Sequence, residues 1–465
     1  MKKRVLVIIS FSFSIRYIYR TKLLNELKKF SHPVIAITWN QEDLIKELQE
    51  EGFEVHIIPE SKKNANYNDV RKKIDFWFNH FKLKTPSKKI QEDWLDTLNN
   101  GNFQWLTFVR KKYNIIKFYF PNTIKKLKKE EKKLLLSDTN YKEISYVIDN
   151  LNLDAVFTVT PFHTQEDVLL QVCKHKGIKM ITSILSFDNI TKRGWLPVDY
   201  DLYMVWNKYN KNEIIRCYKK PKKHINVEVV GAAQFDFYYD KKYLIDKEKW
   251  LQNVGLPNDG KKIILYAGGP KSLFPEESNY LKIIDEAICN GLIEGSPKIL
   301  FRCHPVDDVN RWKEKLQNCS HVFFDTSWTG QSNLLHANIT NNDISKLCST
   351  LYHTDIHINL CSTMTVDGSV FKKPQIAPAY DFRGEKESKL LRNMYYQEHF
   401  LPIMGVDGVA LARSENELIK LINAALIDES STSQKFDKVI EEIITYNDGQ
   451  STNRVVEEIK KIMLN

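Results

Sequence analysis

A strand–helix alternation that runs twice along the chain constrains its fold more than any other feature. Short apolar runs stand at Val5–Ser10, Pro33–Thr38 and Glu54–Ile58, with helical spacing at Lys22–Phe30 and Glu42–Glu51 between them. The pattern resumes at Asp154–Val159, Lys179–Ile184, Leu202–Trp206 and Val227–Gly231, with helical Glu166–His175 in the first gap. A second set has strands at Ile263–Ala267, Lys298–Arg302, His321–Phe324, Asp355–Leu360 and Gln375–Ala377. Helices are predicted within it over Asn279–Cys289, Val309–Gln317 and Asp343–Leu351. Continuously apolar strands linked through helices are the pattern of parallel sheets covered on both faces.

The expectation is an α/β protein with two Rossmann-like, doubly wound domains, residues 1–240 and 241–435, facing across a cleft. Residues 436–465 add amphipathic helices, interrupted at Asn447-Asp448-Gly449. A Lys- and aromatic-rich insertion at about 62–145, expected to be helical, interrupts the first domain, and the turn-rich Asp240–Lys261 is read as the linker. In open parallel sheets ligands bind at the carboxyl ends of the strands, so chemistry is expected in the residues that follow them.

At 465 residues the chain exceeds one core, and its 42% hydrophobic and 27% charged fractions are those of a globular protein. No run approaches the roughly 18–20 apolar residues of a membrane span. Met1-Lys2-Lys3-Arg4 before Val5–Ser10 resembles a leader, but the apolar run is too short and lacks a cleavage site, so it reads as a first buried strand. The cysteines (173, 217, 289, 303, 319, 348, 361) are scattered without a C-x-x-C pair. That argues against a zinc knuckle or disulfide framework and for a cytoplasmic location, possible attachment to the inner face of the membrane included. The net charge of +10 concentrates in Arg110–Lys133, where lysines interleave with Ile115, Ile116, Phe118, Tyr119, Phe120, Ile124 and Leu127. The segment reads either as a solvated helical face or as a dock for anionic lipid or an acidic polymer. No nucleic-acid motif accompanies it, so nucleic acid is not an expected partner.

Four stretches carry candidate chemistry. In Phe301-Arg302-Cys303-His304-Pro305, His304 follows a strand end, where an imidazole donates to a phosphate oxygen or shuttles a proton, and Arg302 is a phosphate-pairing candidate. In Asn359-Leu360-Cys361-Ser362-Thr363-Met364-Thr365, a strand turns into a helix. The free N–H groups of that helix start, with the Ser362, Thr363 and Thr365 hydroxyls, form a diphosphate seat, and Asp367 is placed to hold a ribose or sugar hydroxyl. The turn Tyr266–Lys271 offers Gly268 and Gly269 for close backbone approach and Lys271 for a phosphate, without matching a P-loop. In the first domain, Thr158–Asp167 and Ser186–Asn189 follow strands, and His163, Glu166, Asp167 and Asp188 are general-base candidates. No Gly-x-Gly-x-x-Gly follows the first strand, which disfavours a nicotinamide enzyme.

Phe301–Pro305 resembles the R-x-HP element, and Ser362–Pro374 the S-x-x-x-x-[DE]…K-P element, of GT-B-fold transferases that build bacterial surface polysaccharides. CDP-glycerol glycerophosphotransferases and capsule Kdo and sialyl transferases carry similar pairs. Ser186–Thr191, Trp206-Asn207 and Val229–Asp236 resemble surface-carbohydrate biosynthesis proteins of the same fold. The resemblance implies that His304 and the 362–365 turn hold the donor's phosphates and that the C-terminal helix crosses back onto the first domain. It implies a glycosyltransferase using a nucleotide-sugar donor and a glycan or lipid-linked acceptor. With Asp367 alone near the donor, it favours inversion without metal or other cofactor. A polyol-phosphate transferase, a nucleotide-sugar epimerase and a non-catalytic scaffold are the alternatives.

Overall fold

The computed structural model describes residues 2–61, 65–98, 105–220, 224–305, 307–325, 336–427 and 434–464. The chain forms two compact units. Unit 1 comprises Met1–Lys88, Asn102–Gln234 and Gln450–Asn465, and unit 2 comprises Lys89–Gly101 and Phe235–Gly449.

Unit 1 is built on a parallel sheet of β1 (Lys3–Ile9), β2 (Ser31–Ile37), β3 (Glu54–Ile57), β4 (Ala155–Thr158), β5 (Lys179–Ser183), β6 (Leu202–Val205) and β7 (Val227–Val229). Their order is β3-β2-β1-β4-β5-β6-β7. Val5, Val7 and Ile9 of β1 join one core cluster, while Leu6 and Ile8 join another. Successive side chains of a strand point to opposite faces, so a strand buried on both sides must be apolar throughout. The last helix, Ser451–Leu464, belongs to this unit and sets Val455, Val456, Ile459 and Met463 against Leu24 and Leu27. Lys3 and Lys179, at the starts of β1 and β5, donate to the carbonyls of Met463 and Ile462. They satisfy acceptors that the end of a helix leaves without partners.

Unit 2 repeats the plan with β8 (Ile263–Ala267), β9 (Lys298–Arg302), β10 (Val322–Asp325), β11 (Ile356–Asn359), β12 (Gln375–Pro378) and β13 (Ala410–Ala412), ordered β10-β9-β8-β11-β12-β13. Every pairing is parallel, with Tyr266 of β8 opposite Phe301 of β9 and Ile358 of β11. The edge strand β13 was not expected. It has only three residues, too few to show a periodicity. The stretch read as a linker is folded: Asp246 caps the helix Lys247–Val254 through the Glu248 N–H, and Trp250, Leu251 and Val254 pack with Leu256, Ile263 and Leu300.

The insertion is helical over its described residues, with helices Ala65–Phe78, Pro86–Leu98, Trp105–Phe118, Pro121–Leu136 and Tyr141–Leu151. Pro86 and Pro121 open two of them, where a missing N–H costs nothing. Residues Lys89–Gly101 of the insertion belong to unit 2, and the rest of it to unit 1. Among the described residues no helix is long and apolar enough to cross a membrane.

Candidate functional site

In each sheet the strand order reverses direction once, and the loops flanking that reversal mark the crevice where such folds bind ligands. In unit 2 the reversal lies between β8 and β11. The loops that meet at this edge are therefore Gly268–Phe274 after β8, Cys303–Pro305 after β9 and Leu360–Thr363 after β11.

His304 is half-buried there, its carbonyl accepting the Asp307 N–H at 2.9 Å in a tight turn. Asp307 fixes that turn by accepting from Arg311 Nε at 2.8 Å and Trp312 Nε1 at 3.0 Å. Burial holds the His304 imidazole below its ordinary pKa, against the opposing charge of Asp307. It is therefore neutral at physiological pH and presents one N–H donor and one lone pair.

The turn after β11 is organised by Asn359, which is buried. Its Oδ1 accepts the Ser362 N–H and the Thr365 hydroxyl, both at 3.1 Å. Its Nδ2 is buried with no hydrogen-bond partner among the described residues. Such a donor is costly unless a ligand or water accepts from it. Cys361 takes a left-handed conformation at φ 44°, which lets the chain reverse into the helix Met364–Val370. Ser362 is half-buried and Thr363 is exposed.

Several expected ligand groups are already engaged within the protein. Arg302 is buried against Asp325, and Asp325 also pairs with Lys346, so the Arg302 guanidinium serves the core rather than a phosphate. Thr365 is buried, its hydroxyl donated to Asn359. Asp367 is buried and accepts the Tyr238 hydroxyl. The helix that starts the expected diphosphate seat has seven residues, and its early N–H groups close on the turn itself. Met364 donates to Ser362 Oγ at 3.2 Å, Thr365 to the Ser362 carbonyl at 3.2 Å and Val366 to the Thr363 carbonyl at 2.9 Å. What the turn presents is the Ser362 and Thr363 side chains rather than a fan of free N–H groups.

The glycine pair after β8 answers a packing demand. A Cβ on Gly268 would stand 2.9 Å from Phe301 Cε2, and one on Gly269 would stand 2.6 Å from Phe274 Cδ2. The Gly269 N–H donates at 2.8 Å to Glu277, a fully buried carboxyl that desolvation pushes up to about 8. The close backbone approach is thus to the protein's own rings, and Lys271 is the exposed group of this turn.

Beside these loops lies a cavity of about 420 Å³, lined among others by Trp94, Phe274, Tyr280, Leu360, Phe382 and Arg383. Its position follows from the fold, since Phe274 comes from the loop after β8, Leu360 follows β11, and Phe382 and Arg383 follow β12. Trp94 donates from Nε1 to the Leu273 carbonyl at 2.9 Å, and the Arg383 guanidinium lies 5.5 Å from its ring centroid. Asp381 accepts from Arg383 Nε at 2.8 Å and Nη2 at 3.0 Å, which fixes the cation at the pocket wall. An aromatic wall with a few placed polar groups suits a planar ring such as a nucleobase. Sequence reasoning missed Glu277, Arg383 and Trp94 as parts of this edge. The run Pro275-Glu276-Glu277-Ser278 signals a helix start, but nothing in it predicts a buried acid, and no local pattern ties Trp94 to residues so far along the chain.

In unit 1 the sheet reverses between β1 and β4. The flanking loops close on Glu166, fully buried, which accepts the Thr158 hydroxyl at 2.6 Å and the Thr160 hydroxyl, while Ser10 Oγ lies 2.9 Å from Thr160 Oγ1. Burial pushes Glu166 up to about 7 against these bonds. His163 sits half-buried on the same loop, 4.5 Å from Phe11 between ring centroids, and burial takes it down to about 4. Asp188 pairs with Lys192 at 2.9 Å and accepts the Ser186 hydroxyl. Asp167 is fully enclosed, bonded by Tyr67 and paired with Arg71 at 3.2 Å. It ties the insertion to the sheet and has no exposed face from which to act as a base.

The basic segment spans two helices. Lys128 stacks over Trp77 and Trp195 at 4.5 and 4.0 Å, and Glu131 is buried against the Trp195 Nε1 and Arg71. Lys112, Lys117, Lys125, Lys126, Lys129, Lys132 and Lys133 remain exposed, as do Tyr113, Ile116, Tyr119 and Phe120. The side chains of Arg110 and Lys111 lie outside the described residues.

Two parallel-sheet units of this kind make a GT-B-type fold, and solved structures share it. A UDP-GlcNAc 2-epimerase from Neisseria meningitidis aligns over 98% of this chain and 100% of its own, with a TM-score of 0.57 and 12% identity. The wall teichoic acid polymerase TagF aligns over 99% of this chain and 88% of its own, with a TM-score of 0.50 and 13% identity. At these identities the likeness concerns the fold alone. Residues 76–461 match the family described as CDP-Glycerol:Poly(glycerophosphate) glycerophosphotransferase, and the chain belongs to that family. Among curated relatives, the teichoic acid ribitol-phosphate polymerase TarL of Staphylococcus aureus is 23% identical over 241 residues, 51% of this chain and 37% of TarL. TarK of the same organism is 24% identical over 244 residues, 50% of this chain and 40% of TarK. The chain thus matches two fifths or less of the length of these relatives.

Proposed function

We propose that this chain transfers a polyol phosphate from a CDP-activated donor to a hydroxyl of a growing surface polymer. Family membership across residues 76–461 carries this reading and places it ahead of sugar transfer, the first expectation from the sequence. In the proposed reaction the acceptor oxygen bonds to the donor's β-phosphorus, the pyrophosphate bond to the α-phosphate breaks, CMP leaves, and the acceptor's proton passes to a base. Unit 2 binds the donor. His304 donates an N–H to a phosphate oxygen, Ser362, Thr363 and Lys271 serve the same diphosphate, and the base occupies the pocket of Trp94 and Phe274. These groups favour the charge that develops on the leaving phosphate, as preorganised donors do. Among the base candidates of unit 1, His163 is half-buried and burial takes it down to about 4, which leaves its imidazole neutral at physiological pH; Glu166 and Asp167 are fully enclosed. No step in the scheme draws on a cofactor beyond the nucleotide-activated donor.

The exposed lysines and aromatic residues of Lys112–Lys133 support peripheral attachment to an anionic membrane, where a lipid-linked acceptor would reside. Liposome co-sedimentation tests this: binding should require anionic lipid and fall with salt, and no binding at low salt would leave the segment a solvated face.

The enzymatic reading is tested by offering CDP-glycerol, CDP-ribitol and UDP-sugars with and without a polyol-phosphate acceptor. Acceptor-dependent CMP release is expected from a CDP-polyol. UDP release from a UDP-sugar would restore sugar transfer, and a 2-epimer formed from donor alone would establish an epimerase.

A further inference from the structure

The opposite edge of the unit 2 sheet holds a second cluster of reactive side chains. The helix Ser278–Cys289 ends there, and the i, i+4 spacing of Asp285 and Cys289 sets both on one helical face. Asp285 is buried and accepts the backbone N–H groups of His321 at 2.7 Å and Ser320 at 3.2 Å. This anchors the residue just before β10 and brings its ring inward. His321 Nδ1 lies 3.2 Å from Asp285 Oδ1 and 3.7 Å from Cys289 Sγ. These three ligand atoms all lie within 4.8 Å of one another.

We propose that Asp285, Cys289 and His321 form a three-ligand binding site for a thiophilic divalent ion, zinc by preference, with water completing the tetrahedron. The donor set mixes a thiol, an imidazole and a carboxylate, which suits a borderline-soft ion rather than magnesium or calcium. Ligand bonds of about 2.0–2.3 Å in a tetrahedron place neighbouring donors about 3.3–3.8 Å apart. The 3.2 and 3.7 Å separations already present are close to that spacing, so only small side-chain adjustments are required. The outward nitrogen of the ring is accounted for as well: His321 Nε2 lies 3.5 Å from Ser296 Oγ. With a metal on Nδ1, the Nε2 proton has the Ser296 hydroxyl as its acceptor.

The site stands at the amino ends of the strands, since His321 precedes β10, whereas His304 and Ser362 follow β9 and β11. Its role is therefore to clamp a helix end to the start of β10 rather than to meet the donor. No C-x-x-C pattern signals it, because the ligands come from two separated stretches of chain.

The test uses the full chain, reduced and freed of metal, titrated with Co(II) and then displaced with Zn(II). One equivalent of Co(II) should produce a thiolate-to-cobalt charge-transfer band that zinc abolishes, and zinc should raise the melting temperature. Cys289→Ser, which leaves Asp285 and its backbone bonds in place, should remove the band and weaken binding at least tenfold while the far-ultraviolet circular dichroism stays unchanged. Absence of the charge-transfer band, or wild-type affinity in Cys289→Ser, would overturn the proposal.

Discussion

At the carboxyl edge of unit 1 the loops after β1 and β4 close over a buried carboxyl ringed by hydroxyls, whereas in unit 2 the corresponding loops flank an aromatic cavity and a polar turn. The topology of the two reversals is alike, so the contrast comes from side chains. Ser10, Thr158 and Thr160 satisfy Glu166 internally. In unit 2 Asn359 leaves its Nδ2 without a partner among the described residues, in the turn that carries the half-buried Ser362. A fully satisfied polar network rigidifies, while a buried donor without a partner is costly until a ligand or water accepts from it. The comparison separates polar groups that hold the fold from those left open for chemistry.

That division can be broken by substitution. The largest effect is expected at Asp167→Ala, which removes the nearest of the carboxylates around the buried Arg71, leaving it Glu131 and Asp75, and takes away the acceptor of the buried Tyr67 hydroxyl; it should cost about 3 kcal/mol in urea unfolding. A loss below about 1 kcal/mol, the scale of exposed pairs, would return Asp167 to the list of functional acids. Next comes Glu277. Its folded pKa, pushed up to about 8 by burial, exceeds the ordinary value of 4.5. The protonated form therefore stabilises fully below pH 4.5, and that contribution is lost as pH rises through 8. Glu277→Gln should match the wild type in thermal melts at acid pH and exceed it in alkaline buffer; parallel curves across the range would refute the buried, protonated acid. Gly269→Ala forces a methyl group onto Phe274 and should destabilise by about 1–3 kcal/mol, where an open phosphate loop would tolerate the change. His304→Ala should leave the melting temperature in place and weaken nucleotide binding at least tenfold, about 1.4 kcal/mol. Unchanged affinity and turnover would remove His304 from the donor site.

Much of the fold was legible in the sequence because a strand buried on both faces must be apolar throughout, as Val5–Ile9 and Ile263–Ala267 are. The folded stretch Lys247–Val254 was hidden by its charged flanks and by Gly255, Pro257 and Gly260, which read as linker chemistry although Trp250 is fully buried. The candidate site was legible as a set of loops and much less so as a set of groups. A residue after a strand must lie at the carboxyl edge, but whether its side chain is free to act depends on a partner elsewhere in the sequence. Arg302 meets Asp325, Thr365 meets Asn359 and Asp367 meets Tyr238, and none of these pairings has a local signature. The aromatic cavity was missed for the same reason, since Trp94 comes from the insertion and reaches Phe274 only through the fold.

The most direct test of the account is a crystal structure of the protein soaked with CDP-glycerol. The account predicts the diphosphate against His304, Ser362 and Thr363, with the cytosine in the pocket of Trp94 and Phe274. Nucleotide bound away from the carboxyl edge of unit 2, with those residues untouched, would contradict it.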